Sequence, residues 1–227
     1  MNADEAALRA YYDRDEERDR LNDGRGQLEF IRTTEILMRR LPPPPAVVAD
    51  IGGGPGRYAL WLASLGYQVE HRDLMPLHVS RLQADAAGLP GIRTAVGDAR
   101  ELDLPDASVD AVLLLGPLYH LTQEAERIGA IREAARILRP GGPLFAVAIS
   151  RWAFRIDGII GVRIYRKHPV TLGVIDEAER TGVFPLVYEG CFTSYSHRPA
   201  ILDGARALER VPERAGFGPH LLATAIR

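Results

Sequence analysis

Residues 47–60 read VVADIGGGPGRYAL, and positions 52–56 hold four glycines and one proline. Glycine adopts positive φ at little cost and lets the backbone approach a neighbour closely. An apolar run that ends in Asp50, bends through this stretch and resumes at Arg57 reads as strand, turn and helix. A plain connection rarely uses so many glycines. In an open parallel sheet, ligands bind beyond the carboxyl ends of the strands. The motif therefore constrains the fold and locates a site at the same time.

The chain downstream keeps the alternation going. Strands are expected at Val47–Ile51, Tyr67–Arg72, Ile92–Val96, Val109–Leu115 and Leu144–Ile149. Helices are expected between them at about Arg57–Leu65, Pro76–Ala87 and residues 122–138. Val109–Leu115 is apolar almost throughout, as a strand buried on both faces must be. The pattern implies an α/β fold, a Rossmann-like, doubly wound, mostly parallel sheet with helices on both faces. Two more helices, at residues 4–21 and 27–40, precede the sheet, and the Pro42–Pro45 run stops the second. They make residues 1–45 a helical cap on a core of residues 46–227, with 152–200 as an insertion on the ligand side. Beyond the fifth strand the pattern gives a helix at 171–181, another near Ile201–Arg210 and a terminal strand at His220–Ile226.

Composition removes several classes of partner. The 227 residues suit a single domain, and a net charge of −2 leaves no basic footprint for nucleic acid or an anionic membrane. No apolar run reaches the roughly 18 residues of a membrane span, and the charged N-terminus lacks a signal-peptide core. Cys191 is alone and forms no intrachain disulfide. The histidines show no metal spacing. A cytoplasmic protein without nucleic-acid or membrane partners is the expectation, with a homodimer left open.

The glycine motif itself is selective. A dinucleotide fingerprint counted from Gly52 needs a small residue at position 57, where Arg57 stands, and no Gly-Lys-Ser/Thr follows to make a phosphate loop. What stands there is an acid-x-G-x-G-x-G pattern from Asp50 to Gly56. VVADIGGGPGRYALWLASLGYQV resembles the first motif of class I S-adenosylmethionine-dependent methyltransferases. Asp73 lies 23 residues after Asp50, at the end of the second strand. GDAREL follows the third strand, LGPLYHL the fourth, and EAARILRPGG leads into the fifth, all in the family's order. The GPLYHL stretch, with ISR at 149–151 and the later F-T-x-Y-x-H-x-P, is most similar to bacterial enzymes acting on small molecules, some in natural-product pathways.

The resemblance implies S-adenosyl-L-methionine as methyl donor and assigns residues to it. Backbone at Gly52 and Gly54 packs against its methionine part and ribose. Asp50 orders the loop or receives the ammonium, and Asp73, with Leu74 beside it, meets the ribose hydroxyls. Gly97, Asp98 and Ala99 flank the adenine, Leu115 follows the fourth strand, Arg32 pairs with the carboxylate, and Tyr12 closes over the donor. On the acceptor side His120, with Tyr119, is the candidate base, with a pKa suited to neutral pH. Tyr11 lines the acceptor, Arg151 orients an acidic or carbonyl-bearing one, Trp152 walls the pocket, and His197 is a second base candidate. Each of these side chains has a plainer reading as packing or solvent-exposed surface. GPLYH stands where nucleic-acid-methylating relatives carry Asn/Asp-Pro-Pro-aromatic. Gly116-Pro117 and Ser150-Arg151 stand where metal-dependent relatives carry acids, so no metal is expected. A noncatalytic donor-binding protein remains an alternative, as does an NAD(P)-dependent oxidoreductase, against which Arg57 speaks. The pattern breaks late: no sixth strand is found, and a missing segment near Ala200 is the favoured explanation.

Overall fold

A computed structural model describes residues 3–14, 17, 19–22, 24–156, 171–185, 192–198 and 220–226. Helix α1 spans Ala3–Tyr12 and α2 spans Gly24–Met38. Strand β1 (Val47–Ile51) leads through the glycine turn to α3 (Arg57–Ser64), then β2 (Gln68–Asp73), α4 (Pro76–Asp85) and β3 (Ile92–Val96). Strand β4 (Ala111–Leu114) is followed by one tight turn, Pro117–Tyr119, and by α5 (Glu124–Ile137) and β5 (Pro143–Ser150). The remainder comprises α6 (Ala153–Ile156), α7 (Thr171–Thr181), β6 (Val183–Phe184), β7 (Ser194–His197) and β8 (His220–Ile226).

The strand order is β3-β2-β1-β4-β5-β7-β6, with β8 also paired to β5. Strands β1 to β5 run parallel, and Asp50 stands in register with His71 on one side and Leu113 on the other. The expected terminal strand at His220–Ile226 is present as β8, antiparallel to β5 from Pro143↔Ile226 to Ile149↔His220. The sequence pattern misses β6 and β7. Both are short: β7 meets β5 only at its tip, through Ile149 and Ser150, and β6 pairs antiparallel with β7 through Val183 and Phe184. The expected helix near Ile201–Arg210 and the junction at Ala200 lie outside the described residues.

Alternation along the strands divides the core in two. Val48, Val69, Ala111, Leu113 and Phe145 face α3 and α4 and pack with Tyr58, Ala59, Leu62 and Leu82. Ala49, Ile51, Val112 and Leu114 face the other way, onto Ala130, Ala134, Ile137 and Leu138 of α5 and its end. All four β4 residues are fully buried, which accounts for their unbroken apolar sequence. Leu37 of α2 and Leu21 ahead of it join the first core, so this part of the N-terminal segment packs directly on the sheet layer. Helix α1 stops at Tyr12, short of the expected residue 21. The charged stretch after Tyr12 offers no apolar stripe until Leu21, and a helix there would have nothing to bury.

Gly56 caps α3 with φ of +89°, and a β-carbon on it would collide with the Leu82 side chain. Gly56→Ala is therefore expected to cost about 2–4 kcal/mol from left-handed strain and overpacking. Urea unfolding measures this, and a midpoint equal to the wild type would contradict it.

Candidate active site

The glycine turn is held from below by strand β2. His71 and Asp73 lie two residues apart on that strand and project to one side of it. The Asp73 Oδ2 accepts the Gly54 amide at 2.8 Å. The His71 Nε2 lies 3.1 Å from the Gly54 carbonyl oxygen, and its Nδ1 lies 2.8 Å from Thr94 Oγ1. A carbonyl only accepts, so Nε2 carries the proton and Nδ1 accepts from the Thr94 hydroxyl. Burial draws His71 down to about 4, which keeps it in this neutral form. Both peptide groups of Gly54 are thus clamped while its α-carbon, at φ +59°, faces open space. Gly53 leaves no room for a side chain, because a β-carbon there would land on the Asp50 carboxylate and the His71 ring.

Two carboxyls sit under this turn. Asp50 is fully buried and neither of its oxygens makes a well-formed hydrogen bond, although the Ala59 amide lies near enough to favour its charged form. Burial, then the charge of Asp73, pushes Asp50 up to about 7. Asp73 has the opposite balance. Burial alone would raise it, but the His78 ring at 3.0 Å and the Met75 amide at 2.8 Å hold it below the usual carboxylate range. Asp98, at the end of β3, also ends low: burial is outweighed by Arg100, which bonds it at 2.6 Å and reaches Glu126 with its other arm. Arg9 of α1 adds a favourable charge near Asp98, so α1 lies over this rim.

Above the β4 end stands a cluster of aromatic rings. The Tyr12 hydroxyl meets His120 Nε2 at 2.7 Å. Phe192 packs against Tyr11, Tyr12 and His120 with centroids 4.8, 6.3 and 4.9 Å away. Tyr119 tilts against His120 at 4.5 Å, and His78 meets Tyr12 edge-on at 5.3 Å. His120 Nδ1 and His78 Nε2 are buried without a partner. A near-neutral pKa was expected for His120. The structure corrects this, because burial under the rings takes it down to about 3. Burial also raises Tyr12 and Tyr119, so both phenols stay protonated.

The structure brings Tyr11, Tyr12, Asp50, Gly52, Gly54, Asp73, Tyr119 and His120 to this rim, with Leu74, Gly97, Asp98, Ala99 and Leu115 half-buried around it. Four expected residues stand elsewhere or are already engaged. Arg32 is on the exposed side of α2, paired with Glu35, because its helix turns Leu37 and Thr33 inward instead. Arg151 is buried, and its guanidinium is spent on the carbonyls of Glu179, Arg180, Thr181 and Ser196, where it caps the end of α7. Trp152 is half exposed, away from the rings. His197 belongs to β7 and packs on Tyr195 rather than on the rim. Sequence reasoning missed His71, His78 and Phe192. The two-residue spacing of His71 and Asp73 was a usable signal; Phe192 opens the F-T-x-Y-x-H-x-P stretch, but nothing local shows that the approach to β7 carries it onto His120.

A glycine turn clamped over two coupled carboxyls, at the switch point of a parallel sheet, defines a nucleoside-type ligand site of the α/β class. Residues 49–146 match the profile described as a methyltransferase domain. The malonyl-[acyl-carrier protein] O-methyltransferase of Methylococcus capsulatus is 34% identical over 218 residues, covering 80% of this chain and 75% of that one. The ubiquinone/menaquinone biosynthesis C-methyltransferase of Acidiphilium cryptum is 34% identical over 146 residues, covering 57% of each chain. This chain covers 57% of that relative and 49% of the Caulobacter vibrioides protein of the same name, or about half their length. A methyltransferase structure from Methanosarcina mazei (TM-score 0.59, 24% identity, 84% and 94% covered) shares the fold. So does a Pyrococcus horikoshii protein (TM-score 0.64, 19% identity, 90% and 92% covered). The chain belongs to the class I S-adenosylmethionine-dependent methyltransferases. Among the described residues no His, Cys, Asp and Glu group could hold a metal ion, and no helix is long and apolar enough to cross a membrane.

The raised Asp50 gives a pH signature. A folded-state pKa near 7, above an unfolded value of about 3.9, means the folded protein binds the extra proton. Stability from this group is greatest at low pH and is lost as the pH rises to 7. Asp73, held low, acts below about pH 4 and leaves that window clear. Urea unfolding at pH 4–8 should show Asp50→Asn gaining on the wild type up to pH 7, by on the order of 2–4 kcal/mol, then holding its lead. A gap independent of pH would contradict the buried, unpaired carboxyl.

Proposed function

We propose that this protein transfers the methyl group of S-adenosyl-L-methionine to a small organic molecule, in the cytoplasm and without a metal ion. The observation that carries the reading is the pair of buried carboxyls beneath the glycine turn. Asp50 makes no well-formed hydrogen bond with either oxygen, and Asp73 lies close enough to raise it. Such a pair favours a cation. The donor is a sulfonium that also bears an ammonium, and it carries no phosphate that would demand a lysine. Positive φ at Gly52 and Gly54 supplies bare backbone against which it can lie. Asp73 accepts from the Gly54 and Met75 amides and faces His78, which leaves one of its about four acceptor sites for a ribose hydroxyl. Gly97, Asp98 and Ala99, with Leu74 and Leu115 nearby, are the adenine end.

S-adenosylmethionine supplies an electrophilic methyl on a good leaving group. The protein's share is orientation and exclusion of water. Residues 1–45 act as the cap that brings Tyr11 and Tyr12 over the site, and 152–200 contributes Phe192 to the same wall. His120, drawn down to about 3, is a neutral hydrogen-bonding partner of Tyr12 rather than a titrating base. Acidic metal ligands are replaced by Gly116-Pro117 and Ser150-Arg151. A small-molecule acceptor, of the kind methylated in natural-product biosynthesis, fits the GPLYHL and ISR stretches. No nucleic-acid partner is proposed, and a homodimer is compatible with the reading.

Incubation with methyl-labelled donor and a panel of small acceptors should give a labelled product. Donor binding without turnover on any acceptor would favour a noncatalytic protein. Asp73→Ala should weaken donor binding by about 1–3 kcal/mol, because hydrogen bonds to a charged acceptor are lost. Unchanged affinity by calorimetry would show the residue misassigned. With an acceptor in hand, wild type and His120→Gln are expected to share one pH–rate profile between pH 6 and 8. A limb near pH 6.5 that the variant lacks would restore His120 as the base.

A further inference from the structure

We infer that Arg127, stacked on Tyr195 and flanked by His197, holds an oxyanion of the methyl acceptor, a carboxylate or a phosphate; this rests on the methyl-transfer reading above. Arg127 lies in the first turn of α5, and its guanidinium carbon sits 3.5 Å over the Tyr195 ring. Its Nη1 donates to the carbonyls of Leu121 and Thr122 at 2.7 and 2.8 Å. The remaining N–H groups, on Nε and Nη2, meet no acceptor among the described residues. The residue is only 8% exposed, yet among the described residues no carboxylate pairs with it. Burial pulls its pKa down, and Glu124 and Glu126 oppose this only through space. Glu126 is itself bonded to Arg100. A buried guanidinium without a counter-ion is costly. A stacked one presents its edge as a planar fork, the shape that grips two oxygens of an anion.

His197 lies two residues from Tyr195 on the same face of β7, with ring centroids 4.8 Å apart. Both of its ring nitrogens are buried without a hydrogen-bond partner. Burial, then the charges of Arg127 and Arg151, take it down to about 4, so it is neutral and offers one N–H. The group adjoins the aromatic rim. The carbonyls that Arg127 holds directly follow His120, and Phe192, which touches His120, precedes the strand that carries Tyr195 and His197. An acidic acceptor was expected to meet Arg151, whose donors are consumed by α7. Among the described residues Arg127 is a buried guanidinium that still has its Nε and Nη2 donors to give.

The test is calorimetric titration of benzoate, phenyl phosphate and benzamide into protein saturated with S-adenosylhomocysteine. At least one anion is expected to bind tenfold or more tightly than neutral benzamide, and the tighter of the two identifies the oxyanion. Arg127→Gln is expected to abolish that preference while S-adenosylhomocysteine affinity stays within twofold. His197→Phe, which keeps the guanidinium, is expected to reduce the preference threefold or more and covers the case in which Arg127→Gln does not fold. Equal binding of all three probes to the wild type, no binding of either anion, or a preference that survives in Arg127→Gln would overturn the inference. Failure of the wild type to bind S-adenosylhomocysteine would instead overturn the methyl-transfer reading.

Discussion

The rest of the site depends on the two hydrogen bonds that strand β2 makes to Gly54. Asp73 takes the amide and His71 takes the carbonyl, so a single residue of the turn is held at both ends. The clamp requires a proton on His71 Nε2; burial keeps the ring neutral, and the Thr94 hydroxyl on β3 supplies the donor that selects this tautomer. Three neighbouring strands thus fix one glycine in the left-handed region, with its open side turned away from the sheet. Without that clamp, four glycines in five positions would be the least ordered part of the chain.

The clamp also explains the electrostatics. Asp73 is held ionised by the amides and by His78, and its charge falls on Asp50, where the Ala59 amide is outweighed by burial. One carboxyl is stabilised and its neighbour is left wanting a cation. On the other side of the rim, rings from α1, from the turn after β4 and from the approach to β7 exclude water, and His120 is neutral as a result. The site is therefore divided into an acidic half by the glycine turn and an aromatic half by the cap. A sulfonium nucleoside suits the first half, and a small organic acceptor suits the second.

Most of the fold could be read from the sequence because it rests on period and punctuation. Val47–Ile51, the glycine turn and the apolar β4 were legible as local patterns, and right-handed crossovers left little freedom in assembling them. The acids at the strand ends followed from the same register. What could not be read was where long side chains go. Arg32 and Arg151 carry the charge expected of them, but one turns to Glu35 on an exposed helix face and the other to the carbonyls that end α7. His120 was found by its position after β4. Its acidity was missed because desolvation depends on Tyr12 and Phe192, which are 108 and 72 residues away. His71 and His78 carried no local sign of a role, structural or solvent-exposed readings fitting equally, until the strand and helix carrying them were packed against the turn.

The most direct measurement is a crystal structure of the protein soaked with S-adenosylhomocysteine. The account predicts the ligand lying along Gly52–Gly54, its ribose on Asp73 and its amino group towards Asp50. An empty rim, or the ligand lodged on another face of the sheet, would contradict it.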